Sequence, residues 1–150
     1  MSATRPIAVA IDGSPASTAS LAEAVRRARA EQRPLCGLFI LDTGWADYIG
    51  NDWQSAAGAR QAFLDYIRAQ LEAQAEAARQ QFVAATGDLA TASFAIVPGE
   101  PLEALCEFMA RGEAEMLIAG REVFQVCGRP STRRLARDLA RRLDALQIVG

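Results

Sequence analysis

Ile7-Ala8-Val9-Ala10-Ile11-Asp12-Gly13-Ser14-Pro15 is the stretch on which the fold of this chain turns. Ile7–Ile11 is short, apolar and β-branched, with no polar alternation, which predicts a strand buried on both faces. Asp12-Gly13 then turns the chain, Ser14 suits a helix N-cap, and Pro15 suits the first helical position. A helix follows to about Ala30, with Leu21, Ala24, Val25 and Ala28 on one face, and Pro34 breaks it.

The same alternation continues to the end. Leu35–Leu41 reads as a second apolar strand ending at Asp42. Thr43–Trp53 reads as a loop carrying Trp45, Tyr48 and Trp53 between Gly44 and Gly50. A long helix is expected from roughly Gln54 to Ala85, because Phe63, Ile67, Leu71, Ala75, Ala78 and Phe82 form one apolar stripe. Ala90–Val97 reads as a third strand, and Pro98-Gly99-Glu100-Pro101 turns into a helix to about Arg111. Met116–Ala119 reads as a fourth strand. Ser131 is expected to cap a helix with Leu135, Leu139 and Leu143 inward, and Leu146–Val149 closes the chain as a fifth strand. Apolar strands separated by amphipathic helices predict one α/β domain over residues 1–150, three layers with helices on both faces of a parallel sheet. Ligands on such sheets bind at the carboxyl ends of the strands, near the point where strand order reverses.

Composition removes whole classes of chemistry. The 150 residues include no histidine and no lysine, so Ser-His-Asp and Cys-His catalysis, histidine metal sites, a P-loop lysine and a Schiff base are all excluded. Cys36, Cys106 and Cys127 are too scattered for a disulfide framework or a zinc site. Cys36 and Cys106 lie in apolar stretches and read as small buried residues, while Cys127 falls in a polar loop. No apolar run approaches the roughly 20 residues that span a bilayer. The N-terminus lacks the pattern of a secretory signal, and a cytoplasmic location is expected. The net charge of −2 gives no reason to expect nucleic-acid binding. It is unevenly spread: Arg129 to Arg142 holds six arginines and one acid, Asp138, a net +5 that leaves −7 on the rest.

Three segments together resemble the universal stress protein family. Ile7-Ala8-Val9-Ala10-Ile11-Asp12-Gly13-Ser14 resembles its opening strand and Asp-Gly-Ser turn. Leu38-Phe39-Ile40-Leu41-Asp42 resembles its second strand and the acid that ends it, and Val97-Pro98-Gly99-Glu100-Pro101 its third-strand exit. The resemblance implies a Rossmann-like sheet of order 3-2-1-4-5 and a homodimer paired through the C-terminal strand. In one branch of the family it implies ATP binding. By position, Asp12 and the backbone at Ile40 would hold the adenosine part, and a glycine loop after strand four, of the form G-x-x-G-x9-G-[S/T], would hold the phosphates. Such loops work by aiming backbone N–H groups and a helix N-terminus at the anion.

The chain departs from that loop. Gly120 matches its first glycine, Arg121 replaces a small residue, and Val123 replaces the second glycine. Pro130-Ser131 stands for the last Gly-Ser pair, three residues early. Val123 adds a branched side chain where backbone must approach closely, and Pro130 has no N–H to donate. Weak or absent ATP binding is therefore expected, with or without Mg²⁺.

Each candidate also has a plainer reading. Asp12 fits a nucleotide contact or a turn-capping acid beside a helix N-terminus. Ser131 and Thr132, with Arg121, Arg129 and Arg133 nearby, fit an anion site or simply a solvated basic helix. Trp45, Tyr48 and Trp53 fit an aromatic lid or a loop packed on its own domain. Glu100 and Glu103 fit the first turn of a helix better than an acid–base pair. The expectation is a non-catalytic stress-response binding or regulatory domain. The alternative is an adenine-nucleotide sensor for AMP, ADP or ATP, bound at Asp12, Ile40, Gly120 and Ser131.

Overall fold

The computed structural model describes residues 4–50, 58–126 and 128–150. The strands are β1 (Ile7–Ala10), β2 (Leu35–Asp42), β3 (Ala92–Gly99), β4 (Met116–Gly120) and β5 (Leu146–Val149). The α-helices among the described residues are α1 (Thr18–Glu31), α2 (Trp45–Ile49), α3 (Ala59–Thr86), α4 (Pro101–Ala110) and α5 (Leu135–Arg142). All strand pairs are parallel, in the order β3-β2-β1-β4-β5. The sheet therefore grows one way from β1 through β2 to β3, and the other way through β4 to β5. Right-handed crossovers then put α1 and α3 on one face and α4 and α5 on the other. The packing agrees: α1 touches α3, and α4 touches α5.

Burial explains why the strands lack alternation. Every residue of β1 is buried, as are Leu35, Leu38, Phe39 and Ile40 of β2 and Leu117, Ile118 and Ala119 of β4. One face is covered by Leu21, Ala24 and Ala28 of α1 with Ala75, Ala78 and Phe82 of α3; Leu105 and Phe108 of α4 and Leu139 of α5 also join the core. The small alanines let the helices lie close to the sheet.

Several boundaries differ from the sequence reading. The β1 ladder ends at Ala10, although Ile11 stays buried and its N–H still donates to the Leu38 carbonyl at 2.9 Å. The segment after β2 is not all loop, because Trp45–Ile49 closes one helical turn between Gly44 and Gly50. Within it Trp45 stands edge-on to Tyr48 and to Phe63 of α3, so Trp45 packs the segment onto its own domain while Tyr48 stays exposed. The third strand starts at Ala92 and runs on to Gly99, pairing in register with β2 as far as Asp42↔Gly99. Ser131 does not cap a helix. It is exposed within a 3-10 turn, Pro130–Arg134, whose N-cap position is Arg129, and α5 starts only at Leu135. Proline sets the first turn there, and the buried Thr132 hydroxyl donates back to the Arg129 carbonyl at 2.6 Å. The expected helix start at Gln54, together with Trp53 and Cys127, lies outside the described residues.

Candidate functional site

The strand order reverses between β1 and β4, and the crevice beyond their carboxyl ends is where an open α/β sheet takes ligands. Asp12 lies there, fully buried. Its turn is built locally. Ser14 is the N-cap of the 3-10 turn Pro15–Ser17, and its hydroxyl accepts from the Ala16 N–H at 3.1 Å. Gly13 has φ +79°, and a Cβ there would meet Ala77 and the Ala78 backbone nitrogen at 2.8 Å. Only glycine allows both that turn and that approach to α3. Two glutamines of α3 hold the turn from outside. Gln74 Nε2 donates to the Asp12 carbonyl at 2.6 Å, and Gln81 Nε2 donates to the Ser14 carbonyl at 3.1 Å.

The Asp12 carboxylate is already engaged on both oxygens. Oδ1 accepts from the Ser14 N–H at 2.8 Å, the Ser14 hydroxyl at 2.6 Å and the Ser17 hydroxyl at 2.7 Å. Oδ2 accepts from the backbone N–H of Phe124 at 2.9 Å. A buried charge needs such partners, and here the chain supplies them itself. Phe124 belongs to the segment after β4. It is buried, it stands edge-on to Phe39 with ring centroids 5.8 Å apart, and its φ is +65°. The space left between Asp12, Phe39, Ile40, Leu71 and Phe124 is a cavity of about 10 Å³, room for one water at most.

Asp42, at the end of β2, forms the second half of the site. Its carboxylate receives Arg129 through two bonds, Nε to Oδ2 at 2.8 Å and Nη2 to Oδ1 at 2.9 Å. Oδ1 also accepts from the Gly44 N–H at 2.8 Å. The pair is almost dry, with side-chain exposures of 11% for Arg129 and 5% for Asp42, and Glu100 adds a contact to the guanidinium at 3.4 Å. The Asp42 hydrogen bonds hold the Arg129 pKa above the ordinary arginine value.

The expected site residues therefore separate. Asp12 and Ile40 do come together, lining one small cavity with Phe124. Gly120 ends β4 with its Cα against the Ala16 carbonyl. Arg121 is drawn away, since its N–H donates to the Val149 carbonyl at 3.0 Å and its Nε to the Gly150 carbonyl at 2.9 Å. Arg129, Ser131 and Thr132 border a shallow cleft with Glu100, Glu103 and Asp138, and that acidic rim is unfavourable for an anion. Glu103 is paired with Arg142 at 2.7 Å in the α4–α5 contact. Phe124, Gln74 and the Asp42–Arg129 partnership escaped the sequence reading. The one available hint was the apolar pair Val123-Phe124, with Val126 close behind, in the turn after strand four.

With the sheet order and the Asp12 turn established, comparison with known proteins settles the family. The family model described as "Universal stress protein family" matches residues 3–136. The chain belongs to the universal stress protein family. Among solved structures, it is similar to the universal stress protein UspA from Lactobacillus plantarum, at 21% identity and TM-score 0.65, covering 100% of both chains. A universal stress protein in complex with cAMP matches at 20% identity and TM-score 0.58, over 99% of this chain and 98% of that one. The universal stress protein from Archaeoglobus fulgidus in complex with dAMP matches at 18% identity and TM-score 0.58, over 99% and 100%. At these identities the likeness is one of fold. No curated protein matches the sequence. The family fold brings the question of an adenine nucleotide, and the residues present do not fit one in this conformation. Both Asp12 oxygens already accept bonds within the chain, the cavity beside it is only about 10 Å³, and Arg129 is committed to Asp42.

Proposed function

We propose that this universal stress domain works as a non-catalytic binding or regulatory module whose nucleotide crevice is closed to ATP at rest. The observation that carries the reading is the state of Asp12: both carboxylate oxygens are bound within the chain, and the space beside them is about 10 Å³. Triphosphate binding would also need a backbone cradle, and Val123 and Pro130 take away its close approach and one of its donors. Calorimetric titration of the purified protein with ATP, with and without Mg²⁺, tests this. No heat at millimolar nucleotide is expected. Submillimolar binding, or ATP turnover at enzyme-like rates, overturns it.

A second reading is an adenine-nucleotide sensor, favoured by the two family structures that hold the monophosphates cAMP and dAMP. A monophosphate does not require the lost triphosphate cradle. AMP binding without ATP binding would select this reading. For the assembly we propose a cytoplasmic homodimer joined through β5. Among the described residues this strand is bonded to β4 alone, and open edges are normally paired or covered. Sedimentation of a chain shortened after Asp144 should show loss of the dimer, and a stable dimer would place the contact elsewhere.

A further inference from the structure

All 16 basic side chains of the chain are arginines, and the fold engages most of them. Nine form ion pairs. Arg60 and Arg121 donate to backbone carbonyls instead. Among the described residues, that leaves without a partner only Arg68 on α3 and a group of four, Arg133, Arg134, Arg137 and Arg141. The four are exposed, while Thr132, Leu135, Ala136 and Leu139 between them are buried, so they share the outward face of the Pro130–Arg134 turn and α5. Arg137 and Arg141 stand one turn apart, about 6 Å along the axis, and the two earlier arginines continue the face toward the start of the segment. The nearby acids turn elsewhere. Asp138 lines the cleft toward α4 with Glu100 and Glu103, and Asp144 lines a groove with Cys106 and Met109 of α4. The helix dipole does not account for the group either. It favours Arg141 in the last turn, but Arg133 and Arg134 precede the α5 N-terminus, where positive charge is unfavourable.

We propose that this face is a docking surface for an acidic polypeptide segment whose carboxylates repeat about every 6 Å, in step with Arg137 and Arg141. Glutamates one helical turn apart have that spacing, and alternate residues of an extended strand come close to it. Arginine takes a carboxylate through two parallel bonds, and arginine clusters recognise acidic motifs in this way. The charge left unmatched by the chain's own acids is what such a segment supplies. Other polyanions fit less well. The exposed large apolar side chains are Tyr48, Tyr66, Val83, Ile96 and Val126, none of them on this face. A single-stranded nucleic acid would find no aromatic to stack on, and a lipid surface no apolar wedge to take up. None of the four arginines lines the Asp12 crevice, so the surface is available whether that crevice is closed or filled.

Fluorescence anisotropy tests this with a labelled peptide of about four helical turns carrying glutamate at every fourth position. The full chain should bind it, and the same peptide with lysine in place of glutamate should not bind. Raising salt from about 50 mM to about 500 mM should weaken binding by about 10-fold or more. Arg137→Glu/Arg141→Glu should also weaken it by about 10-fold or more, whereas Arg68→Glu, equally unpaired but on α3, should change it by less than about 2-fold. The double reversal removes no contact within the chain, so its circular dichroism should match wild type. If it does not, Arg137→Gln/Arg141→Gln replaces it and should still weaken binding by about 3-fold or more. No binding at about millimolar peptide overturns the proposal, as does Arg68→Glu weakening binding as much as the double variant. Tighter binding of oligothymidylate, or of phosphatidylcholine vesicles containing about one third phosphatidylserine, overturns the choice of a polypeptide partner and with it the proposal.

Discussion

Replacing Arg129 by methionine should be among the most damaging single changes outside the apolar core. The arginine reaches Asp42 through two bonds of 2.8 and 2.9 Å, and the two side chains keep only 11% and 5% of their exposure. Removing one partner of such a pair strands the other charge, a loss of about 3–5 kcal/mol for fully buried pairs. The Gly44 N–H remains on Asp42 Oδ1 as partial compensation, so about 3 kcal/mol is expected here. For a domain of this size that is a fall in Tm of roughly 6–12 °C. Urea unfolding with linear extrapolation measures it, and a double-mutant cycle isolates the pair. Asp42→Asn/Arg129→Met removes both charges and keeps an oxygen for Gly44, so it should recover much of the loss, with a coupling of about 2 kcal/mol or more. A single-variant loss under about 1 kcal/mol with no coupling would show that the pair behaves as an exposed ion pair, and the account of this half of the site would be wrong.

Other outcomes follow from the same structure. Gly120→Ala puts a Cβ 2.3 Å from the Ala16 carbonyl, and because backbone must shift to make room it should cost about 3 kcal/mol in urea unfolding. Gly44→Ala points its methyl at the Arg129 guanidinium, 2.6 Å from Nη2, and should reproduce part of the Arg129→Met loss; its effect should vanish in the Arg129→Met background. Glu23, bound by Arg26 and Gln147, has its pKa pulled down to about 2. A group lowered on folding stabilises the fold above its unfolded pKa and loses that contribution as pH falls toward the folded value. NMR titration should therefore find Glu23 still ionised at pH 3, and Arg26→Ala should return it toward the ordinary glutamate range. Burial pushes the Cys36 and Cys106 thiols up. In a Cys127→Ser background these two should react with a disulfide reagent at pH 8 far more slowly in native protein than in urea.

What could be read ahead of the structure was what local chemistry determines. Ile7–Ile11 announced a buried parallel strand because burial on both faces leaves no polar residue, and the Asp-Gly-Ser-Pro turn announced its own capping bonds. The strand order came from family resemblance, since strand periodicity contains no information about neighbours. The helix at Trp45–Ile49 is a single turn, too short for any apolar period to show. Ser131 had the right chemistry for a cap and the wrong place, because Pro130 starts a tighter turn that Thr132 satisfies. Arg129 was visible as a phosphate candidate, but its partner lies 87 positions away, and only the assembled sheet end shows the arginine already spent. Phe124 was the hardest case. A left-handed phenylalanine contradicts local preference, so a sequence reading has no reason to expect it.

The two glutamines of α3 have a consequence for how this region can vary. Gln74 and Gln81 grip the Asp12 and Ser14 carbonyls from points seven residues apart, about two helical turns, with Gly13 seated on Ala77 and Ala78 between them. The helix thereby acts as a ruler whose graduations set the height of the Asp12 turn. A residue inserted between positions 74 and 81 would rotate one grip by about 100° relative to the other and lengthen the gap by about 1.5 Å. Substitutions along the solvent side of that stretch should be tolerated freely, while changes in its length should not be, because spacing along the helix is what holds the turn in place.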